Sequence, residues 1–428
     1  MNRYRIRLTS ILVAIAAIAS AVAAQTAAPS ADLAAKADEY MNARLAAKNV
    51  GGSILVVKDG NPLIAKGYGI ADAAAKTPID AYTKFRIGSI TKQFTAASIL
   101  LLQEEGKLSM SDPFCKYIDP CPEAWKPITI HNLASMSSGI PNFTALPNFQ
   151  ELRKNDMKPS ETIALVSDKP LNAAPGEAFE YSNSNYVLLG MIIEKVSGKT
   201  YEQFLKERIF GPLKLENTGY DHGKVRIKGS ALGYSLKDDE VVPAEAASMM
   251  VPYAAGGLYS TTGDLYKWQT ALLEGKVYKN AETLTKMLTP NKGNYGYGLI
   301  VANDPKGRKR ISHGGAIEGF LSDAAYFPDE KLFIAVLVNN DRVPASDVTR
   351  SLIAIYDGAP YTLPKKRIAV KVDAAVLDKY VGEYELSPAM KFKFTREGDG
   401  LVLEPTGQSK AQVFAESDTD FFLKVVDA

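Results

Sequence analysis

Ser89 and Lys92 stand three residues apart in "FRIGSITKQFTAASILLLQEEGKL", Phe85 to Leu108, where a short strand-like run turns into a helical pattern. A serine hydroxyl is a weak nucleophile at its own pKa, so an attacking serine needs a nearby base and positive potential for the oxyanion. A helix opening at Ser89 supplies both. Ser89 and Lys92 at i and i+3 share one face, while Ile90, Phe94, Ala97 and Leu101 line an apolar one. Backbone N–H groups at the helix start add the positive end of the dipole, and Gly88 leaves room for close approach. For Lys92 to accept a proton, burial or another cation must bring its pKa down from about 10.4 toward neutrality. Taken alone the pair reads equally well as an N-cap serine beside an exposed lysine, since roughly one SxxK match is expected by chance in a chain of this size.

Two further segments carry compatible chemistry. Tyr181-Ser182-Asn183, in "GEAFEYSNSNYVLLGMIIEKVSG", falls on a loop just before a helical pattern. There a tyrosine oxygen can shuttle a proton and an asparagine amide can bond the acyl side of a substrate. The bland alternative is a turn with Asx capping, and Tyr40 and Tyr278 begin similar triplets. His313-Gly314-Gly315 closes a β-like run in "RKRISHGGAIEGF". Its glycines let a substrate backbone lie flat against a strand edge, although His313 alone reads as a structural histidine.

In the order SxxK, YxN, HxG, and framed by "FRIGSITKQFTA", "LASMSSGIPNF", "PGEAFEYSNSNYVLLG", "IFGPLKLENTG" and "AAGGLYSTTGDLYKW", the chain resembles the serine β-lactamase and penicillin-binding-protein superfamily. The likeness is to its class C branch, with the related D-alanyl carboxypeptidases, D-aminopeptidases and esterases. It implies a nucleophile at Ser89, a proton-accepting Lys92, and Tyr181 as the second acid/base group. Asn183, His313 and Gly315 would border the substrate, and the N–H groups of Ser89 and Ala316 would form the oxyanion hole. The implied fold is α/β (α+β), an antiparallel sheet flanked by helices plus a mostly helical subdomain, with the serine at their junction. The implied activity is that of a serine hydrolase cleaving amide or ester bonds through an acyl-enzyme, with D-amino-acid-containing peptides or esters as substrates. A β-lactamase and a non-turnover penicillin-binding sensor are the alternatives.

Two departures from the family pattern matter. Many β-lactamases carry Lys-Thr-Gly where this chain has His-Gly-Gly. A histidine with a pKa near 6.5 is mostly neutral at pH 7 and grips a substrate carboxylate less strongly, which shifts the expectation toward a peptidase or esterase. Where relatives read Thr-His-Thr-Ser-Gly, "SMSSGIP" from Ser135 alters local helix packing but not the chemistry.

The elements that position these residues are legible in outline. "ADLAAKADEYMNARLAAK" has helical composition, and "GGSILVVKDGNPLIAKGYGIAD" gives two β-rich runs joined at Asp59-Gly60. Later β-rich text, "YGYGLIVA", "KRISHGG" and "DAAYFPDEKLFIAVLVNN", supplies the rest of a sheet, with helical patterns between. The hydrolase domain is expected over residues 25–360 and a linker over 361–376. Residues 377–428 resemble a lipocalin-like β module, with about five strand-like runs where a full barrel has about eight. Such a partial barrel would be truncated and leave an unpaired edge through which an oligomer could form.

Composition bounds the partners. With 46% hydrophobic and 23% charged residues and a net charge of +2, the chain is globular and has no broad basic face for nucleic acid, so a small molecule or peptide is the expected partner. His131, His222 and His313 show no zinc-site spacing, and no metal or cofactor is called for. Residues 1–24, with arginines at 3, 5 and 7 ahead of an apolar run, read as a secretory signal and place the protein in the periplasm or outside the cell. No later stretch suits a stable membrane anchor. In that oxidising setting Cys115 and Cys121 either close a short disulfide loop or remain two free thiols.

Overall fold

The computed structural model describes residues 32–45, 51–237, 240–364, 368–387, 390–406 and 410–423; the segment read as an export signal lies outside them. The chain divides into two compact units after Leu363.

The first unit is built on a six-stranded antiparallel sheet. Its strands are β1 (Gly52–Lys58), β2 (Asn61–Tyr68), β3 (Ile300–Asn303), β4 (Lys309–Ile317), β5 (Phe320–Phe327) and β6 (Leu332–Val338), in the order β3-β4-β5-β6-β1-β2. Asp59 and Gly60 both take positive φ, 51° and 80°, the two-residue turn that Asp-Gly favours, and the hairpin they close pairs with β6 from Gly52↔Val338 to Lys58↔Leu332. Sequence-distant ends therefore meet at the centre of the sheet.

Side-chain alternation on these strands sorts the core into two layers. Ile54, Val56, Ile334 and Val336 face helix α1 (32–45) and the later helix Ala345–Tyr356, whose Val348 and Leu352 cover them. Leu55, Val57, Phe333, Ala335 and Leu337 face the opposite way into the main core, which holds α2 (Thr91–Glu104) and α3 (Asn183–Ser197). Every residue of α2 from Thr91 to Leu102 is buried, so it is an interior helix. Its polar groups are accordingly paired: Gln93 Oε1 accepts the Trp268 indole N–H at 2.9 Å, and Thr95 Oγ1 lies 2.7 Å from both the Tyr201 hydroxyl and the Ala254 carbonyl.

The text "YGYGLIVA" is only partly strand. Ile300–Asn303 pairs with β4, whereas residues 295–299 form a turn with Gly298 at φ 77°. A Cβ on Gly298 would sit 2.5 Å from the Lys92 carbonyl oxygen, so this segment presses its backbone onto α2. Cys115 and Cys121 are joined as a disulfide with a Cα–Cα distance of 5.6 Å.

The second unit is an antiparallel meander of five strands, β7 (Gly382–Ser387), β8 (Met390–Glu397), β9 (Gly400–Pro405), β10 (Ala411–Ala415) and β11 (Phe421–Leu423). Leu377, Leu401, Leu403 and Val413 form its small core. Val372 packs against that core and the Val370 N–H donates to the Ala415 carbonyl at 2.8 Å, so these residues belong to this unit. Among the described residues β7 and β11 are the sheet edges, and no helix is long and apolar enough to cross a membrane.

Candidate active site

Ser89 sits where main chain packs on main chain. The extended pair Phe85–Arg86 leads into a 3₁₀ turn, Gly88–Ile90, and the α-helix proper starts at Thr91, two residues later than the sequence reading placed it. Gly88 explains the offset. Its φ of 48° suits a residue without a side chain, and a Cβ there would lie 2.9 Å from the Ala316 nitrogen. From the other side, a Cβ on Gly315 would lie 2.1 Å from the Ile87 carbonyl oxygen, to which the Ser322 hydroxyl donates at 2.9 Å. Strand β4 is thereby clamped against the Ser89 turn, bringing Ser89 and Ala316 to the wall of one cavity.

Lys92, the second residue of α2 and three residues past Ser89, is fully buried. Its Nζ lies 2.9 Å from Ser89 Oγ, 2.8 Å from Asn183 Oδ1 and 2.7 Å from the Ala255 carbonyl oxygen. Burial holds its pKa well below the ordinary lysine value. A neutral amine has two N–H donors and one lone pair. Two of its three neighbours only accept, so the lone pair faces the third, the Ser89 hydroxyl. The Asn183 amide is oriented for this role: its Nδ2 donates to Asn142 Oδ1 at 3.3 Å and Thr144 Oγ1 at 3.2 Å, leaving Oδ1 for the lysine.

Tyr181 lays its ring against the site, with Lys92 Nζ over it at 5.0 Å from the centroid. The residue is 37% exposed. Burial pushes the phenol above its usual range, and a hydrogen bond with Ser89 works the other way without reversing it. The tyrosine is thus a neutral phenol at pH 7.

His313 lies behind this group rather than in the cavity. Its Nδ1 is 2.6 Å from the Gly314 carbonyl, which can only accept, so Nδ1 carries the proton and Nε2 accepts from the Tyr295 hydroxyl at 3.0 Å. Burial first, then the nearby Lys92, lower its pKa to about 4. The imidazole is neutral, with both nitrogens occupied, and its ring packs on Tyr181 at 6.3 Å, as does that of Tyr295, edge-on at the same distance.

The cavity, of about 210 Å³, is lined by Ser89, Asn183 and Ala316, by apolar walls that include Phe143, Val251 and Ile317, and by Arg153 and Glu318. Neither His313 nor Gly315 lines it. Arg153 forms an ion pair with Glu318 and a second with Glu245 at 3.2 Å. Ser89, Lys92, Tyr181, Asn183 and Ala316 therefore share one site. The reading from sequence missed Tyr295, Ala255, Arg153 and Glu318. Tyr295 and Glu318 lie beside motifs already singled out, whereas Arg153 and Ala255 carry no local signal. Among the described residues no three His, Cys, Asp or Glu side chains cluster so as to hold a metal ion.

Known proteins share this arrangement of chain. The chain is 28% identical over 403 residues to "Penicillin-binding protein 4*" of Bacillus subtilis (strain 168), covering 88% of each. Its structure resembles that of the octameric penicillin-binding protein homologue from Pyrococcus abyssi, with a TM-score of 0.70, 33% identity, and 89% and 90% of the two chains covered. It also resembles a D-stereospecific amidohydrolase from Streptomyces sp., with a TM-score of 0.65, 26% identity, and 76% and 99% covered. Residues 33–356, which include every group gathered around Ser89, match the family model described as Beta-lactamase, and the chain belongs to that family of serine hydrolases.

Proposed function

We propose that the protein is an exported serine hydrolase that opens amide or ester bonds through an acyl-enzyme on Ser89, acting on D-amino-acid-containing peptides, amides or esters. The observation that carries this reading is the buried Lys92 amine at 2.9 Å from Ser89 Oγ. With its lone pair toward the hydroxyl, Lys92 takes the serine proton as Oγ bonds to the substrate carbonyl carbon. The oxyanion forms between the N–H groups of Ser89 and Ala316. Tyr181, a neutral phenol bonded to Ser89, passes a proton to the departing amine or alkoxide and is reprotonated from the Lys92 ammonium. Water then attacks the ester by the reverse route, restoring Ser89. Asn183 orients the lysine and, from the cavity wall, faces the acyl group.

The substrate assignment draws support from the neutral, inward-facing His313, which offers no cation to a carboxylate, and from the likeness to an amidohydrolase described as D-stereospecific. A β-lactamase or a non-turnover sensor is the competing reading. Export rests on residues 1–24 as a cleaved signal, and the Cys115–Cys121 disulfide suits a periplasmic or secreted protein. In this reading residues 377–428 form a lipocalin-like module whose open edge serves assembly, in keeping with the octameric relative.

The test is a panel of nitrocefin, p-nitrophenyl esters, and D-alanyl and D-amino-acid amides on the protein and on Ser89→Ala. Turnover of the amides and esters that disappears in the variant is expected. Activity surviving in Ser89→Ala removes the serine from the mechanism, and a burst of one equivalent without turnover selects the sensor.

A further inference from the structure

Among the described residues that border the cavity at Ser89, two carry charged side chains, Arg153 and Glu318. The chain itself leads from Ala316 to the second of them. Strand β4 ends at Ile317, Glu318 and Gly319 make the two-residue turn into β5, and Glu318 stands two residues past Ala316, a main-chain rise of about 7 Å. This turn is held from behind: a Cβ on Gly319, whose φ is 73°, would lie 2.6 Å from both Gly233 Cα and Ala244 Cβ. The segment that continues from Ala244 ties down Arg153 as well. The Ser248 N–H donates to the Arg153 carbonyl at 2.8 Å, and the Glu245 carboxylate pairs with its guanidinium at 3.2 Å.

The balance of charge decides which of the two can meet a substrate. Arg153, with its side chain 11% exposed, gives one terminal nitrogen to Glu318 and the other to Glu245. A substrate anion would approach a cation already flanked by two carboxylates. Glu318 is more open, at 23%, and among the described residues its one ion-pair partner is Arg153, which engages a single carboxylate oxygen. The other oxygen keeps its capacity to accept. Lys154 extends the network, pairing with Glu245 at 2.8 Å and Glu151 at 3.2 Å, so that Arg153 and Lys154 stand against three carboxylates. The field at this end of the cavity is negative.

We propose that Glu318 is a specificity-determining residue that receives a free α-ammonium on the acyl group, so that the substrates are D-aminoacyl amides or esters with an unblocked amino end. This rests on the acyl-enzyme reading above, which puts the acyl group between Asn183 and Ala316. The ammonium is carried on the carbon next to the carbonyl that the Ala316 N–H holds, within reach of a carboxylate two residues farther along the chain. Its N–H groups complete the open oxygen of Glu318 in a charge-assisted bond.

The test compares kcat/KM for three p-nitroanilides: that of D-alanine, that of isobutyric acid, in which a methyl group replaces the ammonium, and that of N-succinyl-D-alanine. The D-alanyl substrate is expected to lead, and its ratio to the isobutyryl one to fall by about thirtyfold in Glu318→Gln. Glu318→Asp, which keeps the charge on a shorter arm, should retain most of the ratio. Both rates are read on one sample, so a loss of folded protein cancels. An unchanged ratio in Glu318→Gln, or a parent that prefers the succinylated substrate, overturns the assignment and leaves the hydrolase reading standing. Turnover that survives in Ser89→Ala, or none of any of the three substrates, overturns both.

Discussion

The side-chain oxygen of Asn183 lies 2.8 Å from the Lys92 amine, held there by Asn142 and Thr144 on its other end. A neutral acceptor at this place lets the lysine stay uncharged. In Asn183→Asp a carboxylate would favour the ammonium and raise the lysine pKa, leaving less free base at pH 7. We expect kcat/KM to fall by about a hundredfold at neutral pH. The acid limb of the pH–rate profile should move to higher pH, and a loss without that shift would assign Asn183 to substrate binding alone.

Lys92 itself separates chemistry from stability. Its folded pKa lies below the unfolded value, so between the two the unfolded state binds a proton that the folded state does not. Folding is penalised in that window, and the penalty fades as pH rises toward about 10.5. Lys92→Met should abolish labelling of Ser89 by a fluorophosphonate or penicillin probe while leaving the fold intact. Melting curves should show the parent gaining stability relative to the variant from pH 7 to pH 10. Normal labelling of the variant would end the case for this base.

For His313 the pH window is different. Its pKa is depressed to about 4 in the folded protein, so protonation of the unfolded chain draws stability away as pH falls from about 6.5. Denaturant titrations at pH 7.5 and pH 5 should give the parent roughly 2 kcal/mol more loss than His313→Gln. Equal losses would mean that the imidazole is accessible to protons.

Gly315→Ala probes the clamp between β4 and the serine turn. The added methyl meets the Ile87 carbonyl at 2.1 Å, a clash that only backbone movement relieves. A cost of about 1–3 kcal/mol in stability is expected from overpacking of this kind. Displacement of Ala316 from Ser89 should lower kcat by about a hundredfold. Measuring both on one sample distinguishes a shifted site from general unfolding.

How far residues revealed this site depends on what each one does locally. Ser89 and Lys92 were legible because one helical turn brings i and i+3 together, whereas Tyr181, Asn183 and Ala316 were assigned through the resemblance to the serine β-lactamase and penicillin-binding-protein superfamily. The start of α2 was misplaced because Gly88, at φ 48° against Ala316, draws the first turn into a 3₁₀ form, a tertiary contact with no local pattern. Residues 295–299 read as strand, but Gly298 serves close packing onto α2 and Gly296 close packing against the Met287 carbonyl instead. The part played by Tyr295 appears only when its hydroxyl is seen on His313. The buried run of β6 and the Asp-Gly hairpin were plain because burial on both faces and turn chemistry are local properties.

The nucleophile is held by peptide groups touching peptide groups, Gly88 on Ala316 and Gly315 on Ile87, whereas Phe143, Val251 and Ile317 shape the cavity beside it. The groups that hold the reacting atoms are thus distinct from the side chains that shape the cavity. A scaffold of this design can be re-tailored to new acyl groups without rebuilding its reactive core, and substrate range is its most evolvable property.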